Sequence, residues 1–319
     1  EAFKDLSNNN FAGISGATAW NFTTADIAAA TTIVTLGGGN LSVEDVASGG
    51  QDDTLTIRRN GDYVRVSDPN HELAVAGGAI LIDTHTAEAL LTSITGSIQV
   101  NTVLGDDTLN VDYGGGFFAK DISYDGGGES GAPGDKLVVT GGTFVNVEHV
   151  FDNGHDGKID LDQDGDATRD ARITYTGLEP VIMSSGSENL TLTLSAANDA
   201  AILEDNLDGS SNPTPADGRS QLRTTSGTAE TFEFANPSGS LTVNPGGGTD
   251  ALDVQGLGTV FDADLTIVGD AADTVRFQTN PTDVMNGDID VTAGNISFTK
   301  TLSTSGAARL EALTGSIQG

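Results

Sequence analysis

Five aspartates crowd into one short stretch of the chain, which reads GKIDLDQDGDATRDARITYTGLEP from Gly157 to Pro180. They are Asp160, Asp162, Asp164, Asp166 and Asp170. Calcium binds six to eight oxygen ligands, and alternating carboxylates with a glycine at the sixth loop position supply them in a sharp turn. The first three aspartates take positions one, three and five of such a loop, and Gly165 takes position six. The spacing therefore predicts a calcium-binding loop.

The stretch nevertheless departs from an EF-hand. Position twelve, which should carry a bidentate glutamate, is Ala171, and Asp170 stands one residue early. The sequences on both sides alternate like strands, whereas an EF-hand needs helices there. Two interpretations stay open: a looser calcium loop that joins two strands, or a solvated hairpin whose aspartates hold no ion.

A second acidic motif is Gly105-Asp106-Asp107-Thr108-Leu109. It matches half of the calcium-binding nonapeptide of secreted proteins, which works only in tandem copies. Its copies here lie roughly 23 or more residues apart, so an ion ladder is not expected. The motif instead predicts a chain corner, where aspartate bonds its own backbone and glycine supplies a positive φ.

Residues for other site chemistries are sparse. The four histidines, at 71, 85, 149 and 155, show no i, i+4 pairing with a carboxylate, so a zinc site is not predicted. The chain has no cysteine and no Gly-x-Ser-x-Gly elbow. We therefore assign no catalytic residue and expect a protein that is not an enzyme.

The densest basic cluster is Arg58, Arg59 and Arg65, around Asn60-Gly61. With the nearby aspartates it predicts a cross-strand ion network on a solvated face. The nearby aspartates are Asp52, Asp53, Asp62 and Asp68. The rival is a carbohydrate-active lyase or hydrolase, which would need a groove with three or more carboxylates and an inward arginine.

Composition limits the classes of partner. The 319 residues carry a formal net charge of −32, with only 14 lysines and arginines, which disfavours nucleic acid and anionic membranes. No apolar run is long enough to span a bilayer, so membrane insertion is not expected. The acidity suits a solvated surface or divalent cations held between carboxylates.

Short strands and tight turns dominate the elements that must position these residues. Glycine, threonine, asparagine and aspartate are abundant, and "TLTIRRNGDYVRV" (54–66) predicts a hairpin about Asn60-Gly61. One pattern, Asp-x-aliphatic-x-apolar, recurs at multiples of roughly 23–28 residues, the period of stacked units. The pattern begins at Asp53, Asp107, Asp135, Asp250 and Asp273.

This recurrence predicts an all-β fold, a right-handed parallel β-solenoid with short hairpin and loop insertions. A solenoid buries small aliphatic side chains turn by turn, so it can do without many aromatic residues. A row of tandem β-sandwiches is the alternative, although sandwich cores usually hold more aromatic anchors. The stretches 87–94 and 307–313, each followed by Thr-Gly-Ser-Ile-Gln, are interpreted as solenoid turns and not as helices.

Three segments are expected. Residues 1–40, with Trp20 and several phenylalanines, form an N-terminal cap or junction, because a terminal repeat must cover the core. Residues 41–319 form the solenoid. A break or protruding turn is expected near 206–220, which includes the loop "SSNPTPADGRS".

Several stretches resemble repeat units of giant bacterial surface proteins. They are "DDTLTIRRNGDYVRVSD", "LVVTGGTFVNVEHVF", "ITYTGLEPV" and "FANPSGSLTVNPGGGTDALDV", within about residues 40–295. These proteins are β-helical, adhesin-like or filamentous-haemagglutinin-like exoproteins. The resemblance implies a solenoid fold and a place at the bacterial cell surface or in the extracellular matrix, and it implies no reaction.

The expected function is therefore that of an extracellular structural or adhesive protein. The stack would associate end to end, as a filament, sheath or lattice, or continue into a larger surface protein. The final "LTGSIQG" supports this expectation, because its earlier copy runs directly on into another strand. Polysaccharide or cell-surface contact is a further expected partner, and Ca²⁺ is the only expected cofactor. The alternatives are a carbohydrate-active enzyme and a ligand-binding module of a larger adhesin.

Overall fold

The computed structural model describes residues 30–47, 50–129, 134–207, 217–258 and 260–319. These residues form an all-β protein with two short 3₁₀ turns, Leu91–Ser93 and Tyr113–Gly115. No helix in the described ranges is long and apolar enough to cross a membrane. Most of the expected cap, residues 1–40, lies outside the described residues.

The strands, in chain order, are β1 (Thr32–Gly37), β2 (Asn40–Asp45), β3 (Thr54–Asn60), β4 (Tyr63–Ser67), β5 (Leu73–Gly77), β6 (Ile80–Asp83), β7 (Thr86–Leu90), β8 (Ile98–Asn101), β9 (Leu104–Gly105), β10 (Thr108–Asp112), β11 (Ile122–Asp125), β12 (Gly128–Glu129), β13 (Lys136–Thr140), β14 (Thr143–Phe151), β15 (Gly157–Asp162), β16 (Ala171–Thr176), β17 (Val181–Met183), β18 (Gly186–Thr193), β19 (Ala200–Asp205), β20 (Arg219–Thr224), β21 (Phe232–Ala235), β22 (Ser240–Asn244), β23 (Ala251–Val254), β24 (Asp264–Val268), β25 (Thr274–Phe277), β26 (Thr282–Asp283), β27 (Ile289–Ala293), β28 (Asn295–Phe298), β29 (Leu302–Ser303), β30 (Ala308–Ala312) and β31 (Ile317–Gln318).

Two large, mainly parallel sheets contain almost all of these strands. Sheet A has 13 strands in the order β30-β27-β24-β22-β18-β14-β15-β16-β11-β8-β2-β1-β5. Sheet B has 14, in the order β31-β28-β25-β23-β19-β20-β21-β17-β13-β10-β3-β4-β7-β6. Two small parallel pairs, β9 with β12 and β26 with β29, complete the set. Each large sheet runs without a break along the described chain, unlike a row of separate sandwiches.

The chain alternates between the two sheets and stacks equivalent residues. In sheet A, Ile122 lies between Ile98 and Ile173, each on a parallel neighbour. In sheet B, Leu109 lies between Leu55 and Leu137 in the same way. Along most strands, buried residues alternate with partly exposed ones, and the buried set forms one continuous apolar core. The sequence period of two therefore directs one face of each strand inward.

The predicted hairpin is present, with its turn one residue further on. β3 and β4 pair antiparallel, and Asn60 faces Tyr63, so the two loop residues are Gly61 and Asp62. Gly61 has φ +59°, the conformation that a two-residue hairpin with glycine at its first position needs. Of the two stretches interpreted as turns of the stack and not as helices, 87–94 contains most of β7 and the 3₁₀ turn Leu91–Ser93, and 307–313 contains β30.

Two antiparallel meanders interrupt the parallel stack at its middle. β14, β15 and β16 fold back and forth in sheet A, and β19, β20 and β21 do so in sheet B. The predicted break near 206–220 connects β19 to β20, which are neighbours in the sheet, and residues 208–216 are outside the described ranges. Sheet B therefore continues across this segment.

The recurrent aspartates mark one corner of sheet B. Six aspartates each lie in the turn before a strand of that sheet, with at most 3% of their surface exposed: Asp53, Asp107, Asp135, Asp199, Asp250 and Asp273. Backbone N–H groups donate to the carboxylate of the next member, from Asp53 to Asp107 (2.7 Å), Asp107 to Asp135 (2.7 Å), Asp199 to Asp250 (2.7 Å) and Asp250 to Asp273 (3.0 Å). We name these six residues the acid column. At Asp107, where the sequence predicted a bond from the aspartate to its own backbone, the carboxylate instead accepts from a neighbouring turn of the stack, whereas Asp273 also accepts the Asp270 N–H of its own turn at 2.6 Å.

Burial makes the acid column electrostatically unusual. Burial is the main cause that raises the pKa of Asp107 and of Asp250 to about 6, and the pKa of Asp199 is also raised. Burial, then the charges of Asp68 and Asp107, raise the pKa of Asp53 to about 8. The column therefore joins the turns of the stack through hydrogen bonds and opposes full ionisation of its own carboxyls.

Candidate functional site

The acidic loop predicted from the sequence connects β15 to β16 within the sheet A meander. Three of its five aspartates converge: ligand oxygens of Asp162, Asp164 and Asp166 all lie within 4.8 Å of one another. Gly165 has φ +78°, and a Cβ there would lie 2.9 Å from Val145 Cγ1. Glycine is therefore needed where the loop turns back over sheet A.

Local hydrogen bonds hold Asp162 in place. Its Oδ1 accepts from the Gly165 N–H at 2.7 Å, and its Oδ2 accepts from the Asn146 side-chain amide at 2.7 Å. The bond from Asn146 is the largest cause that lowers the pKa of Asp162. Asp162 therefore stays ionised and available as a charged oxygen ligand.

Asp164 and Asp166 are exposed on the turn. Asp164 Oδ1 accepts from the Asp166 N–H at 3.1 Å, and Asp166 Oδ1 accepts from the Thr168 N–H at 2.8 Å. Each bond leaves carboxylate lone pairs pointing to solvent. Three like charges within so short a span repel one another, and a dication among them would remove that repulsion.

The other two predicted ligands point elsewhere. Asp160 accepts two bonds from Arg172, Nε to Oδ1 and Nη2 to Oδ2, both at 2.5 Å. Asp170 Oδ2 accepts from the Gln163 N–H at 2.8 Å and so closes the base of the loop. Strand pairing explains why Asp160 binds Arg172: the two residues lie directly opposite each other in the antiparallel register of β15 and β16.

An open groove of about 610 Å³ runs beside the loop on the outer face of sheet A. Glu148, Asp160 and Asp162 contribute carboxylates to it, and Arg169 contributes a guanidinium. Arg169 is 41% exposed and bridges the rim of the groove, because its Nη1 lies 3.3 Å from Asp121 Oδ1 and 4.0 Å from Asp160 Oδ1. With Asp160 bound to Arg172 and the pKa of Asp162 lowered, the groove suits a cation or a polar chain better than general-acid chemistry.

The predicted arginine network forms with other partners than expected. Arg58 Nε lies 3.4 Å from Asp112, and Arg65 donates to Glu88 at 2.7 Å. Asp112 and Glu88 belong to the neighbouring strands β10 and β7, directly opposite these arginines. Arg59 instead donates to the carbonyls of Gly61 and Phe117. The sequence could not show which strands flank the hairpin.

One histidine is part of the core. His149 is fully buried, and its Nε2 lies 2.8 Å from the Tyr175 hydroxyl. Burial lowers the pKa of His149 to about 3, so the ring is neutral. Its ring centroid lies 4.1 Å from that of Phe151 and 4.2 Å from that of Phe232. His149 therefore joins an aromatic cluster that spans both sheets.

Comparison with known proteins adds no family. The chain matches no protein-family model, no curated protein and no solved structure.

Proposed function

We propose that this chain is a structural or adhesive segment of an extracellular, bacterial cell-surface protein, built as a right-handed parallel β-solenoid. One observation carries the proposal: equivalent residues stack strand upon strand through two continuous, mainly parallel sheets. Strands about 4.8 Å apart make a stack of 13 strands roughly 60 Å long. Such a stack is a stiff rod whose sides are rich in carboxylates, and its function follows from its shape.

Strand edges at the two ends support head-to-tail assembly. At one end, β6 is the edge of sheet B, and its residues Ile80, Leu81 and Ile82 are 48%, 44% and 50% exposed. At the other end, β31 is the edge strand, and Ile317 is 48% exposed. Within the described residues, no strand pairs with the outer edge of β6 or of β31, and open strand edges with apolar side chains are templates for a further strand. A second copy of the chain, or further repeats of a larger protein, would cover them.

We expect the purified chain to associate end to end and Leu81→Lys to abolish that association. A lysine on an edge strand places a charge where another strand would dock. Electron microscopy and light scattering of the purified chain measure the outcome. Val268→Lys is the matched control, because Val268 is 53% exposed on β24, within the stack and not at its end. Rods of wild-type protein that stay monomeric at high concentration contradict head-to-tail assembly.

We also propose that the acidic loop binds Ca²⁺, through Asp162, Asp164 and Asp166. Their convergence supports the proposal, and water and backbone carbonyls would complete a shell of six to eight oxygens. Bound calcium would fix the loop at the edge of the groove, where it could orient a polysaccharide or cell-surface ligand.

We expect millimolar Ca²⁺ to raise the melting temperature of the wild type and not that of Asp162→Asn plus Asp164→Asn. A ligand that binds only the folded state stabilises it in proportion to the logarithm of its concentration. The control is Asp83→Asn plus Asp270→Asn, two exposed aspartates that accept one backbone N–H two residues on, as Asp164 does. If calcium raises the melting temperature of the Asp162→Asn plus Asp164→Asn variant as much as that of the wild type, the proposed calcium site is wrong.

A carbohydrate-active enzyme is the second candidate, because the groove brings Glu148, Asp160 and Asp162 together. Arg172 engages Asp160, and Asn146 with the Gly165 N–H engages Asp162, so Glu148 is the groove carboxylate to test. Release of sugar fragments from a polysaccharide, lost on Glu148→Gln, would favour this enzyme over the structural role.

A further inference from the structure

A second convergent cluster lies near the start of sheet B, away from the acidic loop. Ligand atoms of Asp53, Asp68 and His71 all lie within 4.8 Å of one another. Asp53 precedes β3, and the other two follow β4. Because β3 and β4 form a hairpin, Asp68 and His71 lie close to Asp53 although they follow it by 15 and 18 residues.

Both carboxylates of this cluster are buried. Asp53 is 1% exposed and Asp68 is fully buried. Three backbone N–H groups hold the Asp68 carboxylate in place. Its Oδ1 accepts from the N–H groups of Asn70 (2.7 Å) and His71 (3.1 Å), and its Oδ2 accepts from the Thr54 N–H (3.2 Å). Neither oxygen of the Asp53 carboxylate has a hydrogen-bond partner of good geometry. A buried carboxylate in that state needs a proton or a cation.

The imidazole lies at ligand distance from both acids. His71 Nδ1 is 2.8 Å from Asp53 Oδ1 and 3.6 Å from Asp68 Oδ2, yet it makes no aligned hydrogen bond to either. Two ligands of a tetrahedral zinc ion, with bonds of about 2.0–2.1 Å, are separated by about 3.3 Å. The two observed separations lie on either side of that value, as expected of a shell that closes slightly around an ion.

Negative charge from neighbouring carboxylates also favours a bound cation at this cluster. Asp107 accepts the Asp53 N–H, and Asp45, 7% exposed, contributes a further negative charge to Asp53. In the described part of the chain, no lysine or arginine nitrogen lies within 4.0 Å of these four carboxylates. The imidazole of His71 is thus the basic group that lies within 4.0 Å of Asp53 and Asp68 in the described part of the chain.

We propose that Asp53, Asp68 and His71 bind one divalent transition-metal ion of the zinc class. One imidazole with two carboxylates suits zinc, whereas calcium prefers an all-oxygen shell. The His71 side chain is 20% exposed, so the ion can enter there and a water can complete the shell. The backbone bonds to Asp68 hold that ligand in place, as outer-shell partners of metal ligands do. The ion would fasten the segment between β4 and β5 to the start of β3. This inference is independent of the proposed surface role.

The test is calorimetric titration of the full chain with Zn²⁺ in the presence of millimolar Ca²⁺, which should occupy the proposed calcium loop. We expect one zinc ion per chain, with affinity reduced at least roughly tenfold in Asp53→Asn and in His71→Gln. Co²⁺ gives a second readout, because a tetrahedral site with an imidazole ligand produces visible absorption bands that both variants should lose.

His155→Gln is the matched control. His155 lies in the third described cluster, with Glu179 and Glu230, and its loss should leave the zinc affinity and the cobalt bands unchanged. Far-UV circular dichroism establishes that each variant is folded, and His71→Gln, at a partly exposed position, tests the site without a change to a buried acid. Absence of zinc binding, or binding that only His155→Gln or the loop variant removes, would overturn the proposal. His71 would then be a structural neighbour of the two aspartates and not a metal ligand.

Discussion

Phe232→Ala is expected to lower the free energy of unfolding by about 3–5 kcal/mol, the range for truncation of a buried phenylalanine. Phe232 is fully buried in β21, and its ring contacts His149 of β14 across the core, at a centroid distance of 4.2 Å. It also stacks on Phe234 at 5.5 Å. The two meanders meet at this cluster, so its loss leaves a cavity between the sheets at the point where the parallel stack is interrupted.

Urea unfolding, followed by far-UV circular dichroism, measures this loss of unfolding free energy. The matched control is Phe298→Ala, which also removes a stacked phenylalanine ring, 5.1 Å from that of Phe277. Phe298 is partly exposed and lies in β28, next to the edge strand β31 of sheet B. We expect the control to lose clearly less stability, because the site is wetter and can relax. Equal losses in the two variants would mean that the meander cluster has no special role in joining the sheets.

Local patterns in the sequence predicted the local structure well. Alternating residues and the Asn60-Gly61 signal identified the hairpin, and the recurrent Asp-x-aliphatic pattern identified strands that stack in sheet B. Asp199 was missed, because Ala201 and not a larger aliphatic follows it, yet it holds the same place in the acid column. Pairing to Ala251 and Leu252 of the next turn, and not side-chain size, fixes that position.

The meanders could not be predicted, since they depend on which strands become neighbours. "TFVNVEHVF" and "ARITYT" alternate equally well, whether their strands pair in parallel or antiparallel fashion. The same limit applies to the candidate sites. The spacing predicted the loop that brings Asp162, Asp164 and Asp166 together, but the register of β15 against β16 assigns Asp160 to Arg172. His71 meets Asp53 only through the fold of a hairpin.

Asp250→Asn is expected to stabilise the protein at pH 8 by up to about 3 kcal/mol and to have little effect at pH 4. Burial, the largest cause, raises the pKa of Asp250 to about 6 from its ordinary value of 3.8. Between these values the folded state binds more protons than the unfolded chain does. The stability that the protonated group contributes is therefore complete below about pH 4 and is lost as the pH rises through 6.

Asparagine removes the charge and keeps the hydrogen bond, because its carbonyl can still accept the Asp199 N–H that Asp250 Oδ1 accepts at 2.7 Å. Urea unfolding of the variant and the wild type at several pH values between 4 and 8 measures the free energy of unfolding of each protein. Subtracting one from the other at each pH cancels the contributions of the titratable groups that the two proteins share. One such titration is that of His149, whose lowered pKa makes the fold lose stability as the pH falls below about 6.5. Asp62→Asn removes an exposed carboxylate from the hairpin turn and is the control for the loss of one aspartate charge. A difference between Asp250→Asn and wild type that stays constant across this range would mean that Asp250 is ionised in the fold throughout, and that the acid column tolerates its full charge.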